Sequence, residues 1–75
     1  MNLYAFSKTA GLKVGSQKIK SVAFSSASRC ALECKYREPG CTSFSYNKDT
    51  ATCDLGSAQS NVEFQSNSDL YSVGN

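Results

Sequence analysis

Residues 25–56 read SSASRCALECKYREPGCTSFSYNKDTATCDLG, and the rest of the fold is organised around this segment because it holds all four cysteines of the chain. It also contains the clearest helix pattern and the clearest hairpin pattern. The full length of 75 residues predicts one small domain over residues 1–75. Domains of this size bury a modest share of their surface, so cross-links are expected to contribute much of their stability.

A helix is predicted over residues 26–37. Ser25 or Ser26 can cap it, because a serine oxygen accepts hydrogen bonds from free N–H groups in the first turn. Pro39 ends it, since the residue before a proline avoids helical geometry, and Pro39-Gly40 suits the centre of a type II turn. Helical spacing groups the side chains of this helix into two sets, one that faces the core and one that faces water. They are Ala27, Cys30, Ala31 and Cys34 for the core, and Arg29, Glu33 and Arg37 for water.

Strands are predicted from apolar and β-branched runs bounded by turn residues. They cover residues 3–6, 19–22, 42–46, 52–55 and 69–73, with a turn at 47–50. Irregular chain is predicted for residues 9–16, which Gly11 and Gly15 interrupt, and for the polar residues 56–67, pinned by Val62 and Phe64. The expected core residues are Phe6, Phe24, Phe44, Tyr46, Leu55 and Leu70.

The four cysteines allow three disulfide pairings, and helix geometry excludes one. Cys30 and Cys34 stand at i and i+4, where Cβ atoms lie about 5–6 Å apart, whereas a disulfide requires about 3.8 Å. Cys34 lies nearer the helix end, and six residues with a Pro-Gly turn separate it from Cys41. This favours Cys34–Cys41 with Cys30–Cys53, while the crossed pairing stays open.

Two such bridges imply an oxidising compartment and hence a secreted or extracellular protein. Zinc ligation by the four cysteines is the alternative, but spacings of three, six and eleven residues differ from the two close pairs of typical zinc sites, and histidine is absent. Met1 begins no recognisable signal peptide, so a secreted form is expected to have lost its signal, with Met1 an added start residue. No apolar run approaches the roughly 18–20 residues of a membrane span, so no membrane insertion is expected.

The net charge of +2 is unevenly distributed. Residues 1–37 contain seven Lys or Arg and one Glu, whereas residues 38–75 contain one Lys and five Asp or Glu. This asymmetry indicates a basic patch, with scattered solvated lysines as the alternative. The tyrosines Tyr4, Tyr36 and Tyr71 are possible platforms for a sugar ring. The candidate ligand-binding residues are Lys13, Lys18, Lys20, Arg29, Lys35, Arg37 and Tyr36.

Enzymatic chemistry is not predicted. Histidine, the usual general base near neutral pH, is absent, and so are nucleophile-elbow and phosphate-loop motifs. The cysteines are expected to be committed to bridges, and no metal or other cofactor is expected. An oxidising compartment and a small net charge also speak against nucleic-acid binding.

The cysteine framework resembles the PAN/apple family in its minimal four-cysteine PAN form. The resemblance rests on C-A-L-E-C at residues 30–34, C-T-S-F-S-Y at 41–46, C-D-L-G at 53–56 and the terminal L-Y-S-V at 70–73. It implies an α+β fold in which one helix packs across a twisted antiparallel sheet of about five strands. It also implies two nested bridges between helix and hairpin. Apple domains add a third bridge between the terminal strands, for which this chain has no cysteines.

The resemblance implies a binding and adhesion function, because members of such families bind proteins or carbohydrates. The first hypothesis is therefore a lectin-like or protein-binding module of a larger secreted or oligomeric protein. A narrower alternative is a sulfated glycan such as heparin held by the basic patch, since arginine pairs bidentately with sulfate. The other alternative is a structural or dimerisation module without a separable ligand, in which open edge strands pair with a second copy.

Overall fold

The computed structural model describes residues 6–58 and 60–73. It consists of one helical segment and a single sheet whose strands all pair antiparallel in the order β1-β5-β3-β4-β2. The helical segment comprises α1 and a π-helical turn that follows it directly, here called the π turn. In chain order the elements are β1 Phe6–Val14, β2 Lys20–Ala23, α1 Ala27–Leu32, the π turn Glu33–Arg37, β3 Ser43–Asn47, β4 Thr52–Gly56 and β5 Val62–Val73.

The predicted α+β class, helix and hairpin are confirmed. Ser26 caps α1, and its hydroxyl accepts a hydrogen bond from the Arg29 amide at 3.4 Å. The chain reverses at Pro39-Gly40, where Gly40 has a φ of 82° and the Cys41 amide donates to the Glu38 carbonyl at 3.2 Å. A positive φ at the third position is the requirement of a type II turn, and glycine meets it without strain.

The main core lies between the helical segment and one face of the sheet. Phe44 is fully buried at its centre, stacked on Tyr71 at 4.8 Å between ring centroids and edge-on to Phe6 at 5.1 Å. Leu55 completes the buried apolar surface of the hairpin. Of the other predicted core residues, Leu70 is buried, and Phe24 and Tyr46 pack against the core while remaining partly exposed.

Two disulfides join the helical segment to the region around the hairpin, and the favoured nested pairing is confirmed. Cys30 bonds to Cys53 in β4, with Cα atoms 6.1 Å apart, and Cys34 bonds to Cys41 just before β3, with Cα atoms 5.2 Å apart. Cys30, Cys34 and Cys53 are buried, whereas Cys41 is partly exposed.

The irregular chain predicted for residues 9–16 is wrong as far as Val14, because β1 continues through it. Gly11 has a φ of 80° at a register shift between Ala10 and Leu12, where this single residue lies opposite residues 65–68 of β5, so it marks an irregularity within the strand rather than its end. Beyond this irregularity, the Val14 amide donates to the Ser45 hydroxyl at 3.0 Å on the sheet face opposite the helix. The end of β1 therefore lies over this second face.

The polar loop predicted for residues 56–67 is also wrong from Val62 onward, since β5 begins there and pairs with β1. Val62 and Phe64 do not pin a loop to the core, because their exposed fractions are 51% and 90%. This part of β5 lacks an alternating apolar pattern because its side chains face solvent. Residues 3–5 of the predicted first strand lie outside the described residues.

Tyr71 carries a phenol that titrates unusually. Burial raises the pKa of Tyr71; the Lys8 ammonium opposes this rise and the Asp69 carboxylate adds to it. The folded state therefore retains the phenol proton at a pH where the unfolded chain has lost it. It follows that stability is lost as the pH rises from about 10, the unfolded value, through the higher folded pKa.

We expect Tyr71→Phe to reduce this alkaline loss, because the phenylalanine ring keeps the stacking on Phe44 but cannot ionise. Urea unfolding at pH 9 and again above pH 10 measures the decline for both proteins. An equally steep decline in Tyr71→Phe and in the unchanged chain would assign the loss to other groups.

Candidate binding groove

An open groove of about 520 Å³ lies on the outer side of α1 and the π turn. Phe24 enters it from the segment before the helix, and the remaining side chains come from the helical segment itself. The lining residues, here called the helix groove, are Phe24, Arg29, Leu32, Glu33, Tyr36 and Arg37. The structure thus brings together three of the predicted site residues: Arg29, Tyr36 and Arg37.

Two cations lie over aromatic rings of the helix groove. The Arg29 guanidinium lies 5.6 Å from the centroid of the Phe24 ring, and the Lys35 ammonium lies 5.9 Å from that of Tyr36. Both distances lie within cation–π range. Tyr36 is 66% exposed, so most of its ring remains available to a ligand. The predicted platform at Tyr71 is wrong because that ring is buried, and Tyr4 lies outside the described residues.

The π turn determines how these side chains are presented. The Glu38 amide donates to the Glu33 carbonyl at 3.1 Å, which is the i→i+5 bond of a π-helix. On its inner side the turn is held by the buried Cys34 and its bridge to Cys41. Its outer side therefore presents Lys35, Tyr36 and Arg37, and such widened turns occur frequently at functional sites.

Lys20 connects the edge strand β2 to Glu33, the first residue of the π turn, and to Glu38, which directly follows it. Its ammonium lies 2.6 Å from a Glu38 carboxylate oxygen and 3.3 Å from one of Glu33. Hydrogen bonds to Glu38, and secondarily to Glu33, raise the pKa of Lys20. The prediction that Glu33 faces water is wrong, because this contact leaves its side chain only 17% exposed.

Lys13 and Lys18 lie outside the helix groove. Lys13 is 3.9 Å from the Glu63 carboxylate across the β1–β5 pair, and Lys18 is 3.5 Å from the Asp54 carboxylate. Asp54 alternates with the inward Cys53 in β4, so Lys18 contacts the sheet face opposite the helix. The seven predicted residues therefore form no single patch, and three of the lysines are each paired with acidic side chains.

Sequence reasoning did not select Phe24, Leu32 or Glu33 for the site. Phe24 was assigned to the core, yet it both packs against the core and lines the helix groove. Leu32 and Tyr36 stand at i and i+4, a spacing that places apolar side chains side by side on a helix. That spacing on the charged side of the helix is the signal that could have identified the groove.

The described residues contain neither a cluster of metal ligands nor a membrane-spanning helix. Within residues 6–58 and 60–73, no group of three or more His, Cys, Asp or Glu side chains is arranged to hold a metal ion. In the same part of the chain, no helix has both the length and the apolar character needed to span a membrane.

Comparison with known proteins identifies the family. A family model described as the PAN domain matches residues 4–74, which is nearly the whole chain. A search of curated proteins gives no significant match. PAN domains are generally protein- or carbohydrate-binding modules of extracellular proteins, and the match agrees with the nested bridges and the five-stranded sheet described above. The chain belongs to the PAN domain family.

Proposed function

We propose that this PAN domain is a non-enzymatic extracellular adhesion module that binds a protein or carbohydrate ligand in the helix groove. The observation that carries the proposal is the convergence of Arg29, Tyr36 and Arg37 on one open groove beside apolar side chains. Arginine and tyrosine are enriched among residues that dominate binding energies. They are presented here by a segment held rigid by two disulfides.

Two arginines of the helix groove are available to an anionic ligand. In the described part of the chain, the guanidinium groups of Arg29 and Arg37 have no carboxylate within ion-pair distance. They therefore retain their capacity to form bidentate hydrogen bonds with a bound anion. A single open groove binds weakly, so we place the domain in a larger or oligomeric secreted protein, where several copies raise avidity.

Self-association is the second candidate function, and Phe64 supports it. This ring is 90% exposed on β5, next to the half-exposed Val62. Two large apolar side chains on one strand can form the centre of a contact with another copy. A concentration-dependent increase in mass that Phe64→Ser abolishes would support this candidate.

The proposed function is tested with arrays of immobilised glycans and extracellular-matrix proteins. The arrays are probed with beads that each carry many copies of the domain. We expect the double change Arg29→Ala with Tyr36→Ala to reduce the bound signal by about tenfold or more, because it removes one cation and the exposed ring. Lys13→Ala is the matched control, since it removes a cation outside the helix groove, and it should change the signal little. Equal signals for the double variant and the unchanged domain would contradict a ligand site in the groove.

A further inference from the structure

We propose that the helix groove binds an acidic peptide segment in which carboxylates flank an aromatic or large apolar side chain, and that Lys20 keeps the groove cationic by holding Glu33. This inference rests on the proposed function, whose site it shares. It adds the chemical class of the ligand and a positioning role for a residue on another element.

The charge of the groove region is the first part of the argument. Arg29 and Arg37 line the groove, and Lys35 lies beside it over the Tyr36 ring. None of these three cations pairs with a carboxylate among residues 6–58 and 60–73. Three cations in one region attract a ligand that carries several negative charges.

Among the described residues that line the groove, Glu33 is the one acidic side chain, and from its position it can neutralise the positive charge of the arginines. It stands four residues after Arg29 and four residues before Arg37, and oppositely charged side chains at i and i+4 attract one another on a helix. The structure shows the Glu33 carboxylate turned to Lys20 instead, at 3.3 Å. Lys20 also contacts Glu38 at 2.6 Å, which fixes its ammonium near the end of the π turn. Lys20 therefore acts as a positioning residue that leaves both arginines available.

The apolar lining favours a peptide over a sugar. Phe24, Leu32 and Tyr36 provide a surface for an aromatic or aliphatic side chain. Sugar hydroxyls both donate and accept, whereas the guanidinium groups of the arginines only donate, so among the described lining residues the side-chain acceptors are the Tyr36 hydroxyl and the Glu33 carboxylate. The one carboxylate in the lining is already engaged by Lys20. An acidic peptide needs only donors for its carboxylates and an apolar contact for its central residue.

The binding test uses three synthetic peptides titrated into the ¹⁵N-labelled domain and followed by NMR. The acidic probe is acetyl-SDEFEDS-amide, the neutral probe is acetyl-SNQFQNS-amide, and the probe without an aromatic ring is acetyl-SDESEDS-amide. We expect shifts at the groove residues and an affinity for the acidic probe about tenfold higher than for either of the others. Equal affinities for the acidic and neutral probes would overturn the proposal.

The role of Lys20 is tested with variants that separate position from net charge. Lys20→Met and Lys13→Met each remove one positive charge, but only the first releases Glu33. We expect Lys20→Met to weaken binding of the acidic probe by about threefold and Lys13→Met to leave it nearly unchanged. Combining Lys20→Met with Glu33→Gln should restore most of the affinity, because it removes the carboxylate that stands four residues from both arginines, and Glu38, which Lys20→Met also releases, does not line the groove. Equal effects of the two lysine variants, or no recovery in the double variant, would overturn the positioning role.

Further outcomes separate this inference from the proposed function. If the NMR spectrum shows that Lys20→Met disturbs the fold, Arg37→Gln provides the test. This change should lower the affinity for the acidic probe about fivefold and the affinity for the neutral probe far less. Stronger binding of a heparin hexasaccharide than of the acidic probe at the same residues would overturn the peptide class while leaving the groove as the site. If Arg29→Ala with Tyr36→Ala left every array ligand bound, the proposed function itself would fail.

Discussion

Phe44→Ala is expected to lower the free energy of unfolding by about 3–5 kcal/mol, the usual cost of removing a buried phenylalanine ring. Phe44 has no exposed surface and contacts the rings of Phe6 and Tyr71, so alanine would remove both aromatic contacts and leave a cavity. A domain of this size has a total stability of roughly 5–10 kcal/mol. The variant should therefore be close to unfolding at ambient temperature.

Urea unfolding followed by circular dichroism measures this change, with Phe44→Leu as the matched control. Leucine keeps most of the apolar volume and loses mainly the ring contacts, so its cost should be about 1–2 kcal/mol. A cost for alanine below about 1 kcal/mol would mean that Phe44 does not lie at the centre of the core.

Removing the Cys30–Cys53 bridge by replacing both cysteines with alanine is the second large expected effect. The bridge closes a loop with a sequence separation of 23, for which chain entropy alone predicts a loss of about 3.5 kcal/mol. Both cysteines are fully buried in the main core, so the loss of two sulfur atoms adds a packing cost. We expect the midpoint of unfolding to fall further than when the Cys34–Cys41 bridge alone is removed.

The matched control replaces Cys34 and Cys41 with alanine. This bridge has a sequence separation of 7 and a partly exposed cysteine, so chain entropy predicts a smaller loss of about 2.5 kcal/mol. The two variants are compared by urea unfolding without reductant. A larger loss in the control would contradict the assignment of the longer bridge as the main constraint on the unfolded chain.

The helix, the hairpin and the cysteine pairing could be predicted because their determinants are local. A capping serine, the Pro-Gly turn and the spacing of Cys30 and Cys34 each act within a few residues. The turn between β3 and β4 is another such case, since the Asn47 side chain accepts bonds from the amides of Asp49 and Thr50 at 2.9 and 3.2 Å.

The full lengths of β1 and β5 could not be predicted because neither strand alternates cleanly between buried and exposed residues. Residues Ser7 to Ala10 of β1 are all exposed, and β5 begins with an exposed stretch that includes Phe64. Their strand structure comes from hydrogen bonding to one another, which depends on residues that lie 48 to 67 positions apart in sequence. A glycine pattern alone does not distinguish an irregularity within a strand from a turn, which is why the sequence predicts a break at Gly11.

The candidate site was only partly predictable for a related reason. Charge and exposure identify Arg29, Tyr36 and Arg37 from the sequence, and the helix gathers them without further help. The pairing of Lys20 with Glu38 depends on where β2 lies relative to the helix. The position of β2 relative to the helix is set by the assembled sheet. The sequence therefore places Lys20 in a basic patch, whereas in the structure two carboxylates neutralise it.

The pairing of β1 with β5 affects how the domain can be joined to other chains. Phe6 and Val73 are direct partners in that pair, so the two ends of the strand system lie about 5 Å apart. The helix groove is tied through Lys20 to β2, the opposite edge of the sheet. A host protein can therefore carry this domain as an insertion in a surface loop, with the two junctions at the β1–β5 edge of the sheet and β2 at the other edge.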